Sequence, residues 1–509
     1  MLLLMIDDLR PELAAYGASW VHSPRIDALA NRSMLFERAY TAVAVCGPAR
    51  SAILTGRRPD SAHCWSLSGA RGYWRNYLPN AASMPEYFKQ HGYTSIGLAK
   101  LFHPGPISGG DDQAHSWSPA GLPYWHSKEQ TGPPGAAGWW AANYSDFQMQ
   151  DGVTAMRAAS VLRQLRQNAS APFFLGVGFH KPHMPQYCPQ KYYDLYPPAS
   201  QTSLAHNPAP PAGVPPVAVQ LSKQFRHWLR IDNATCGGPA TTFDAWASPE
   251  CRVPDSLART LRRAYRACTS YTDAMVGVVL DALEANGFGN DTVVALVSDH
   301  GWHLGDLGEW AKYTVFESAT RIPLVISLAG QRLPLRTQAL FEANDLYATL
   351  ADAAGLPVPP LCANSTDAAA YCVEGVSALP LWSAPNRTWK GAAFSQYPRP
   401  ENGLNPLNSS MNPFANGESV MGYSLRTNRY RYSEWVAFDH DTATPNWSKQ
   451  YGRELYDHTD APVPNASFNC ENENLLASAS TDAEEIASHL STMLHAGWRA
   501  QLPPDQLDA

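Results

Sequence analysis

The chain has 509 residues, of which 45% are hydrophobic, and this length and apolar content allow a large buried core and indicate two domains. Its formal net charge of −7 at pH 7 excludes a global positive field for nucleic acid or an acidic membrane, so an anionic substrate must be held by a local cation cluster. No apolar run approaches the about 20 residues of a membrane span, and we predict neither a membrane span nor a nucleic-acid partner.

Nine cysteines and a series of Asn-x-Ser/Thr sequons indicate an oxidising, glycosylating route. We therefore expect a protein of the secretory pathway, lysosomal or extracellular. The opening segment, MLLLMIDDLRPEL, has the pattern of a core strand and lacks the features of a signal peptide, so we expect the native N-terminus to lie upstream. The sequons lie at Asn143, Asn168, Asn233, Asn290, Asn364, Asn386, Asn408, Asn446 and Asn465.

Short apolar runs alternate with amphipathic helical stretches, which predicts an α/β domain on a largely parallel sheet. The predicted strands are LLLMI (2–6), TSIGLA (94–99), FFLGVGF (173–179), TVVALVS (292–298) and PLVISL (323–328). The predicted helices lie around 24–34, 83–91, 150–167 and 256–286.

Two breaks interrupt this alternation. Residues 197–217 are too rich in proline to be regular and predict a long surface loop, and the second break spans 355–390. Beyond it, residues 423–438 alternate like antiparallel strands and 481–499 has a helical pattern. We therefore predict a catalytic domain over 1–390 and a C-terminal α+β subdomain over 391–509.

Ionisable residues follow four of the predicted strands. Ligands collect at the carboxyl ends of strands in open α/β sheets, so we expect these residues to converge. Asp7, Asp8 and Asp299 offer the hard oxygen ligands that suit Ca²⁺ or Mg²⁺, although Asp7 and Asp8 could equally form a turn or cap pair. His300 either binds the metal or orients a ligand. The other residues at these ends are Lys100, His103, His180 and Lys181.

Cys46 lies in the stretch YTAVAVCGPARSAILTGRRPD, residues 40–60. Pro48 suits a first helical position, so the free N–H groups of that turn and Arg50 predict an anion site around Cys46. A thiol at a helix N-terminus is a low-pKa nucleophile, which makes a cysteine-based phosphatase an alternative. Such phosphatases need no divalent cation, whereas the carboxylates predict one.

The residues from Cys46 to Arg50, followed by Thr-Gly-Arg, resemble the type I sulfatase signature C-x-P-[SA]-R, which directs oxidation of the cysteine to Cα-formylglycine. Further family blocks occur in order: DDLRPELAAYG near the start, AKLFHPG (99–105), GFHKPHMP (178–185) and SDHGWHLGDLGEWAKYTVFESATRIPLVI (298–326). They are most similar to the iduronate-2-sulfatase branch, and the likeness covers essentially the whole chain. It implies an alkaline-phosphatase-like fold, a large mixed, mostly parallel sheet flanked by helices with a smaller antiparallel sheet in the C-terminal subdomain.

The resemblance also implies the cofactors and the chemistry. A formylglycine-generating enzyme would convert Cys46, and the hydrated aldehyde would attack sulfur with one hydroxyl and release sulfate through the other. One Ca²⁺ ion would be bound by Asp7, Asp8, Cys46, Asp299 and His300.

Catalytic roles follow from the same resemblance. Arg50 would hold the nucleophile and the sulfate, and Lys100 and Lys312 would neutralise sulfate oxygens. His103 would serve as the base in sulfate release, and His180 would protonate the leaving alkoxide.

Four further residues bear on the substrate. Trp302, Lys181 and His183 are candidate sugar contacts. His303 stands where the animal iduronate enzymes have alanine, which leaves the identity of the substrate open. We also expect Glu309 and Lys312 to share one face of a helical turn, and a local disulfide between Cys362 and Cys372.

The leading interpretation is a sulfuric ester hydrolase that removes sulfate from a sugar, such as the 2-O-sulfate of a uronic acid in a glycosaminoglycan. One alternative is a phosphodiesterase or phosphonate hydrolase of the same superfamily. The other is a non-catalytic relative that binds sulfated glycans, and it would be expected to have lost one of the site residues that this sequence retains.

Overall fold

The computed structural model describes residues 1–67, 73–118, 124–128, 132–133, 138–168, 171–219, 253–365, 371–400, 419–459, 468–478 and 480–506. Two cysteines and three sequons lie outside these ranges: Cys236, Cys251, Asn233, Asn408 and Asn465.

A mixed sheet forms the core of the described residues. Its strands are β1 (Leu2–Ile6), β2 (Met34–Tyr40), β3 (Thr94–Ala99), β5 (Phe173–Phe179), β7 (Val294–Ser298), β10 (Arg321–Ser327), β11 (Leu335–Thr337) and β12 (Phe341–Glu342). Four short strands form two separate pairs outside this sheet: β4 (Trp139–Ala142) with β6 (Gln186–Pro189), and β8 (His303–Leu304) with β9 (Trp310–Ala311). The strand order is β11-β2-β10-β7-β1-β5-β3, with β12 paired to β2. Strands β7, β1, β5 and β3 are parallel, and β10 is antiparallel to both neighbours. The predicted mostly parallel sheet is confirmed.

The five apolar runs all form strands of this sheet, but the sequence did not predict β2. Its segment MLFERAY contains Glu37 and Arg38, which break the continuous apolar run that identifies a buried strand. The carboxylate of Glu37 accepts a hydrogen bond from Arg336 at 3.0 Å, so this charge is tolerated near the edge of the sheet.

The helices are α1 (Pro24–Ala30), α2 (Cys46–Thr55), α3 (Pro59–Ala62), α4 (Met84–Gln90), α5 (Gln150–Asn168), α6 (Gln190–Tyr193), α7 (Asp255–Ala285), α8 (Glu317–Thr320), α9 (Asp345–Ala353) and α10 (Thr481–Ala496). The Ser83 hydroxyl caps α4, because it accepts from the backbone N–H of Glu86 at 3.2 Å. Residues 197–217 are irregular, as predicted, apart from the 3₁₀ turns Ala199–Gln201 and Pro216–Ala218. None of the described helices has the length and apolar character needed to cross a membrane.

A second, antiparallel sheet contains the C-terminal strands β13 (Ala393–Pro400), β14 (Ser419–Arg426), β15 (Tyr430–Asp439) and β16 (Thr444–Asp457), in that order. Helix α10 packs on one face, with Ala487 and Leu490 against Leu425 and Tyr432. The other face packs on the main part of the chain, so β15 is buried on both sides instead of alternating. The division between residues 390 and 391 stays a prediction; it falls just before β13.

The predicted disulfide between Cys362 and Cys372 is present, with the two Cα atoms 4.7 Å apart. Four other described cysteines are buried free thiols: Cys46, Cys188, Cys268 and Cys470.

Candidate active site

The ionisable strand ends converge at one edge of the main sheet. Strands β7, β1, β5 and β3 are neighbours and parallel, so their carboxyl ends lie side by side. The residues that follow them come together as predicted, and the first turn of α2 and a loop after β9 complete the cluster. The buried members are Asp7, Asp8, Cys46, Arg50, Lys100, Asp299, His300 and Lys312.

Cys46 lies at the centre of this cluster and is 1% exposed. Its Sγ atom lies 2.8 Å from Lys312 Nζ, 3.3 Å from Asp7 Oδ1 and 3.3 Å from His300 Nε2. We expected Pro48 at the first position of helix α2, but the helix begins at Cys46, so Pro48 is its third residue. Proline is still tolerated there because the N–H groups of the first turn have no partner within the helix.

The thiol of Cys46 is not a low-pKa nucleophile. Burial, reinforced by the charge of Asp7, raises its pKa well above the ordinary value despite the nearby lysines. The expectation of a thiolate at the helix N-terminus is therefore wrong for this environment, and the cysteine-based phosphatase loses its main support.

Three buried cations pair with the three buried carboxylates. Lys100 Nζ contacts Asp7 Oδ2, Lys312 Nζ donates to Asp8 Oδ1 at 2.6 Å, and Arg50 Nε donates to Asp299 Oδ2 at 2.8 Å. Burial and neighbouring carboxylates raise the pKa of Asp8 to about 7, although Lys312 opposes this. Burial also raises the pKa of Asp299 to about 6, opposed by Arg50.

The donor set fits a hard divalent cation. Asp8 Oδ2 is buried without a hydrogen-bond partner among the described residues, which is the state of a carboxylate oxygen left free for an ion. The Nδ1 atom of His300 pairs with the Gly301 carbonyl at 2.9 Å, which leaves Nε2 facing the cluster as an acceptor. Two overlapping sets of possible ligand atoms each lie within 4.8 Å: Asp7, Asp8, Cys46 and His183, and Asp7, Cys46, Asp299 and His300.

Lys312 lies on a loop, and the predicted helical turn with Glu309 is wrong. Strand β9 pairs with β8 between these two residues, which makes the segment extended. Ala311 and Tyr313 flank Lys312 with φ values of 72° and 79°, a conformation that L-residues rarely adopt. Asp8 and Ala99, which precedes Lys100, are also at positive φ, so backbone strain clusters at this site as it does at many functional sites.

His180 is held by a carboxylate that the sequence analysis did not single out. Asp151, in the first turn of α5, accepts from the backbone N–H groups of His180 at 2.9 Å and Lys181 at 2.8 Å. Its Oδ1 also lies 3.4 Å from His180 Nδ1, and Gln150 Nε2 lies 3.2 Å from His180 Nε2. Burial lowers the pKa of His180, and Asp151 opposes that shift. An acid in a first helical turn is common, so the sequence carried no specific signal.

The other predicted residues lie around this centre. His103 is on the loop after Lys100, where Nδ1 pairs with the Pro104 carbonyl at 3.0 Å, and burial lowers its pKa to about 3. The Lys181 ammonium donates to the carbonyls of His183 and Pro185 at 2.9 and 2.6 Å, so it braces its own loop; a substrate contact for it stays a prediction. His183 faces the centre, with Nε2 4.0 Å from Asp8 Oδ2.

The side chain of Trp302 lies near the Cys46 cluster, whereas that of His303 packs away from it. The Trp302 ring lies 5.5 Å from Lys312 Nζ, and its buried indole N–H has no partner among the described residues. His303 is fully buried, and its Nε2 pairs with the Thr314 hydroxyl at 2.8 Å. It therefore packs inside the protein, and its difference from alanine gives no ground for a different substrate.

Two further residues hold the turn after β1. The Tyr265 hydroxyl, from α7, donates to the Asp8 carbonyl at 2.7 Å and accepts from the Arg10 N–H at 2.9 Å. The Ser298 hydroxyl accepts from the Leu9 N–H at 3.0 Å. Both contacts join distant segments, so no local motif could have identified them.

Comparison with known proteins identifies a family and relatives of this chain. The sulfatase family model matches residues 1–356. The chain is 36% identical over 505 residues to the iduronate 2-sulfatase of Mus musculus, covering 90% of this chain and 88% of the mouse protein.

Two solved structures share the fold. A phosphonate monoester hydrolase from Silicibacter pomeroyi superposes with a TM-score of 0.69 at 18% identity, covering 99% of this chain and 95% of that one. A 2-O GAG sulfatase superposes with a TM-score of 0.67 at 19% identity, covering 97% of this chain and 91% of that one. At these identities the likeness concerns the fold alone, and it confirms the alkaline-phosphatase-like architecture.

Proposed function

We propose, because the chain belongs to the sulfatase family and hydrolyses sulfate esters, that its substrate is a sulfated sugar carrying a uronic acid 2-O-sulfate. The proposed cofactors are one Ca²⁺ ion and a Cα-formylglycine made from Cys46. The proposed partners are the sulfated carbohydrate and a formylglycine-generating enzyme that acts during maturation in the secretory pathway, with a lysosomal or extracellular destination.

The surroundings of Cys46 carry the proposal. Its side chain is buried between the carboxylates of a cation site and the ammonium groups of Lys100 and Lys312, at 4.0 and 2.8 Å from Sγ. Attack on a sulfate ester requires a nucleophile next to cations that bind the sulfate oxygens, and Cys46 has such cations beside it. Burial raises the pKa of the Cys46 thiol, so the unmodified thiol would be a poor nucleophile at this position.

The proposed ion would be bound by the carboxylates at the ends of β1 and β7, with His300 completing the set. When bound, it supplies positive charge beside the sulfate group. The unpartnered Oδ2 of Asp8 supports this assignment, because a buried carboxylate oxygen without a donor is costly unless a cation occupies the site.

The chain's own residues do the remaining work. Lys100 and Lys312 hold the sulfate oxygens in a site with little water, and Arg50 fixes the carboxylates that surround the nucleophile. His180 gives a proton to the leaving sugar oxygen, and His103 accepts one during sulfate release. The formylglycine supplies a nucleophilic oxygen and a second hydroxyl that permits release.

Uronate specificity rests on the 36% identity to iduronate 2-sulfatase over most of both chains. The test compares kcat/KM on a disaccharide with uronate 2-O-sulfate against one with glucosamine 6-O-sulfate. We expect a preference for the uronate of at least about 100-fold, equivalent to about 2.7 kcal/mol of transition-state binding. Equal rates would contradict the substrate assignment and leave the reaction class intact.

The alternative phosphoester activity is separated by a second pair of substrates. An aryl sulfate and the matching aryl phosphate differ only in the group that is transferred. We expect the sulfate to be hydrolysed faster, and a phosphate preference of several orders of magnitude would reassign this chain to the phosphonate hydrolase type.

A further inference from the structure

A cavity of about 430 Å³ lies between the C-terminal sheet, α3 and the end of α10. None of the described residues lining it belongs to the Cys46 site. Cys46 begins α2 and Arg58, in the cavity wall, lies beyond the end of that helix, which places the two about 15 Å apart along its axis. The volume is within the range of small-ligand sites, about 300–1,000 Å³.

Half-buried aromatic side chains form the walls of this cavity. Trp447 lies 4.1 Å from the His495 ring at 33° and 5.2 Å from the Tyr423 ring, so its plane is fixed by neighbours. The Trp498 ring lies 4.7 Å from the Arg58 guanidinium. Each of the three large rings keeps part of its apolar surface uncovered in the concave wall. Flat, fixed, partly exposed rings of this kind suit the C–H face of a sugar ring.

Arg499 adds an uncompensated cation. No hydrogen bond or ion pair to its guanidinium is found among the described residues, and its buried Nη2 atom has no acceptor. The ring of Trp498 lies 4.3 Å below it and holds it in place. A buried guanidinium donor without an acceptor is costly, and a carboxylate or sulfate group would satisfy it in a paired geometry.

The lining of the same cavity includes an attachment point for sugar. Residues 363–365 follow Cys362, whose disulfide to Cys372 fixes this segment. Asn364 is exposed in this wall and begins an Asn-Ser-Thr sequon. A glycan on Asn364 would start at the rim of the aromatic cavity.

We propose that this cavity is a second carbohydrate site, which binds a sugar ring with an anionic substituent by stacking on Trp447 and Trp498 and pairing with Arg499. The sugar has two possible sources, the glycan of Asn364 or a part of the substrate chain away from the hydrolysed sulfate. The cavity shares no described lining residue with the Cys46 site; the substrate chain as a source and the binding equivalent lost in Lys312→Ala rest on the proposed function.

The first experiment counts binding sites by titration calorimetry with a heparin tetrasaccharide, in the full chain carrying Cys46→Ala to prevent turnover. We expect two equivalents per chain in protein without N-glycans. Adding Trp447→Ala or Arg499→Ala should weaken one of them at least tenfold, and Lys312→Ala should remove the other. Phe147→Ala, which changes an aromatic residue that is 43% exposed and outside the cavity, is the matched control and should leave both.

The same cavity variants, made in the active protein, should leave kcat for a small aryl sulfate unchanged. Arg499→Ala removes a partly exposed side chain that has no hydrogen-bond partner in the described part of the chain, so it should fold even if Trp447→Ala does not. It therefore keeps the test decisive.

The second experiment identifies the source. In protein made with N-glycans, endoglycosidase release at Asn364 should be several-fold faster in Trp447→Ala if the glycan occupies the cavity, and Asn364→Gln should then restore tetrasaccharide binding. Equal release rates with two tetrasaccharide equivalents would assign the cavity to the substrate chain. The proposal would be overturned by two results together. The first is a single binding equivalent that Lys312→Ala abolishes, and the second is either equal release rates in Trp447→Ala and the unmodified chain or an Asn364 that carries no glycan.

Discussion

His180 shows how one residue's environment sets the expected pH dependence. Burial lowers the pKa of its imidazole below the ordinary value, and Asp151 opposes this. A proton donor works only in the protonated form, so the protonated fraction is full at low pH and is lost as pH rises through the lowered pKa. We expect kcat on the uronate 2-sulfate to be maximal on the acidic side of neutrality. A flat profile from about pH 5 to about pH 9 would contradict this role.

Asp151 is expected to act through His180. Replacing it by Asn keeps an acceptor for one backbone N–H but removes the charge that favours the imidazolium. Asp151→Asn should lower kcat about 10- to 100-fold with little change in KM, and should move the alkaline limb of the profile to lower pH. The exposed Asp194→Asn is the control. A lower kcat with an unshifted profile would mean that Asp151 is merely structural.

The strained backbone beside Lys312 makes a stability prediction. Glycine removes the Cβ clash of Ala311 at its φ of 72°, which is worth about 1–2 kcal/mol and offsets the extra entropy of glycine in the unfolded chain. Ala311→Gly should therefore keep or slightly raise the free energy of unfolding. Ala348→Gly, in the middle of α9, should lower it by about 1 kcal/mol. Equal losses in denaturant titrations would show that Ala311 is not strained.

At the scale of elements, the short helix α8 links the C-terminal sheet to the site. Glu317 in α8 accepts from Arg431 at 2.7 Å and Arg426 at 3.2 Å, and its N–H donates to Glu471 at 2.8 Å. The same helix offers the Ala319 carbonyl to the N–H of Gly301 at 2.8 Å, next to His300. The buried charges of the second sheet therefore brace the loop that carries two candidate metal ligands.

Breaking this network should be costly. Glu317→Gln leaves Arg426 and Arg431 buried with less compensation, and we expect a loss of about 3–5 kcal/mol in stability. The arginines lower the pKa of Glu317 although burial opposes them, so its stabilisation is present at neutral pH and is lost as pH falls through that lowered pKa. Asp281→Asn, in an exposed pair with Arg25, should cost less than about 1 kcal/mol. A Tm for Glu317→Gln equal to that control would contradict the bracing role.

Across the whole molecule, the sequence predicted the features that depend on neighbouring residues in the chain. The apolar runs predicted five of the eight described strands of the main sheet. The ionisable residues after four of these runs meet at one edge because parallel neighbouring strands end side by side. The sequence missed β2, whose charged residues are satisfied by distant partners. It also missed Asp151 and Tyr265, and it placed Lys312 on a helical turn that pairing between β8 and β9 prevents. The strand β2, Asp151 and Tyr265 depend on contacts between residues far apart in the chain, whereas the error at Lys312 comes from the local pairing of β8 with β9.

The proposed metal site is a property of the assembled molecule, because its candidate ligands follow β1 and β7 and begin α2. Removal by a chelator should abolish turnover and lower Tm, and added Ca²⁺ should restore both. At a hundredfold excess over Kd, the bound ion would stabilise the fold by about 2.7 kcal/mol. The measurement is a thermal melt with and without chelator. Asp8→Asn is the control: its ion affinity should be weakened, so its Tm should be the same with and without chelator. Identical melts of the unmodified chain would contradict a resident ion.

The proposed role of Cys46 is to be the precursor of the nucleophile and not the nucleophile itself. Intact-peptide mass spectrometry across residues 38–57 of the active protein measures this directly, because formylglycine is about 18 Da lighter than cysteine. We expect specific activity to rise in proportion to the converted fraction across preparations, and Cys46→Ala to have no activity while remaining folded. Full activity in protein whose peptide retains the unmodified cysteine mass would contradict the account.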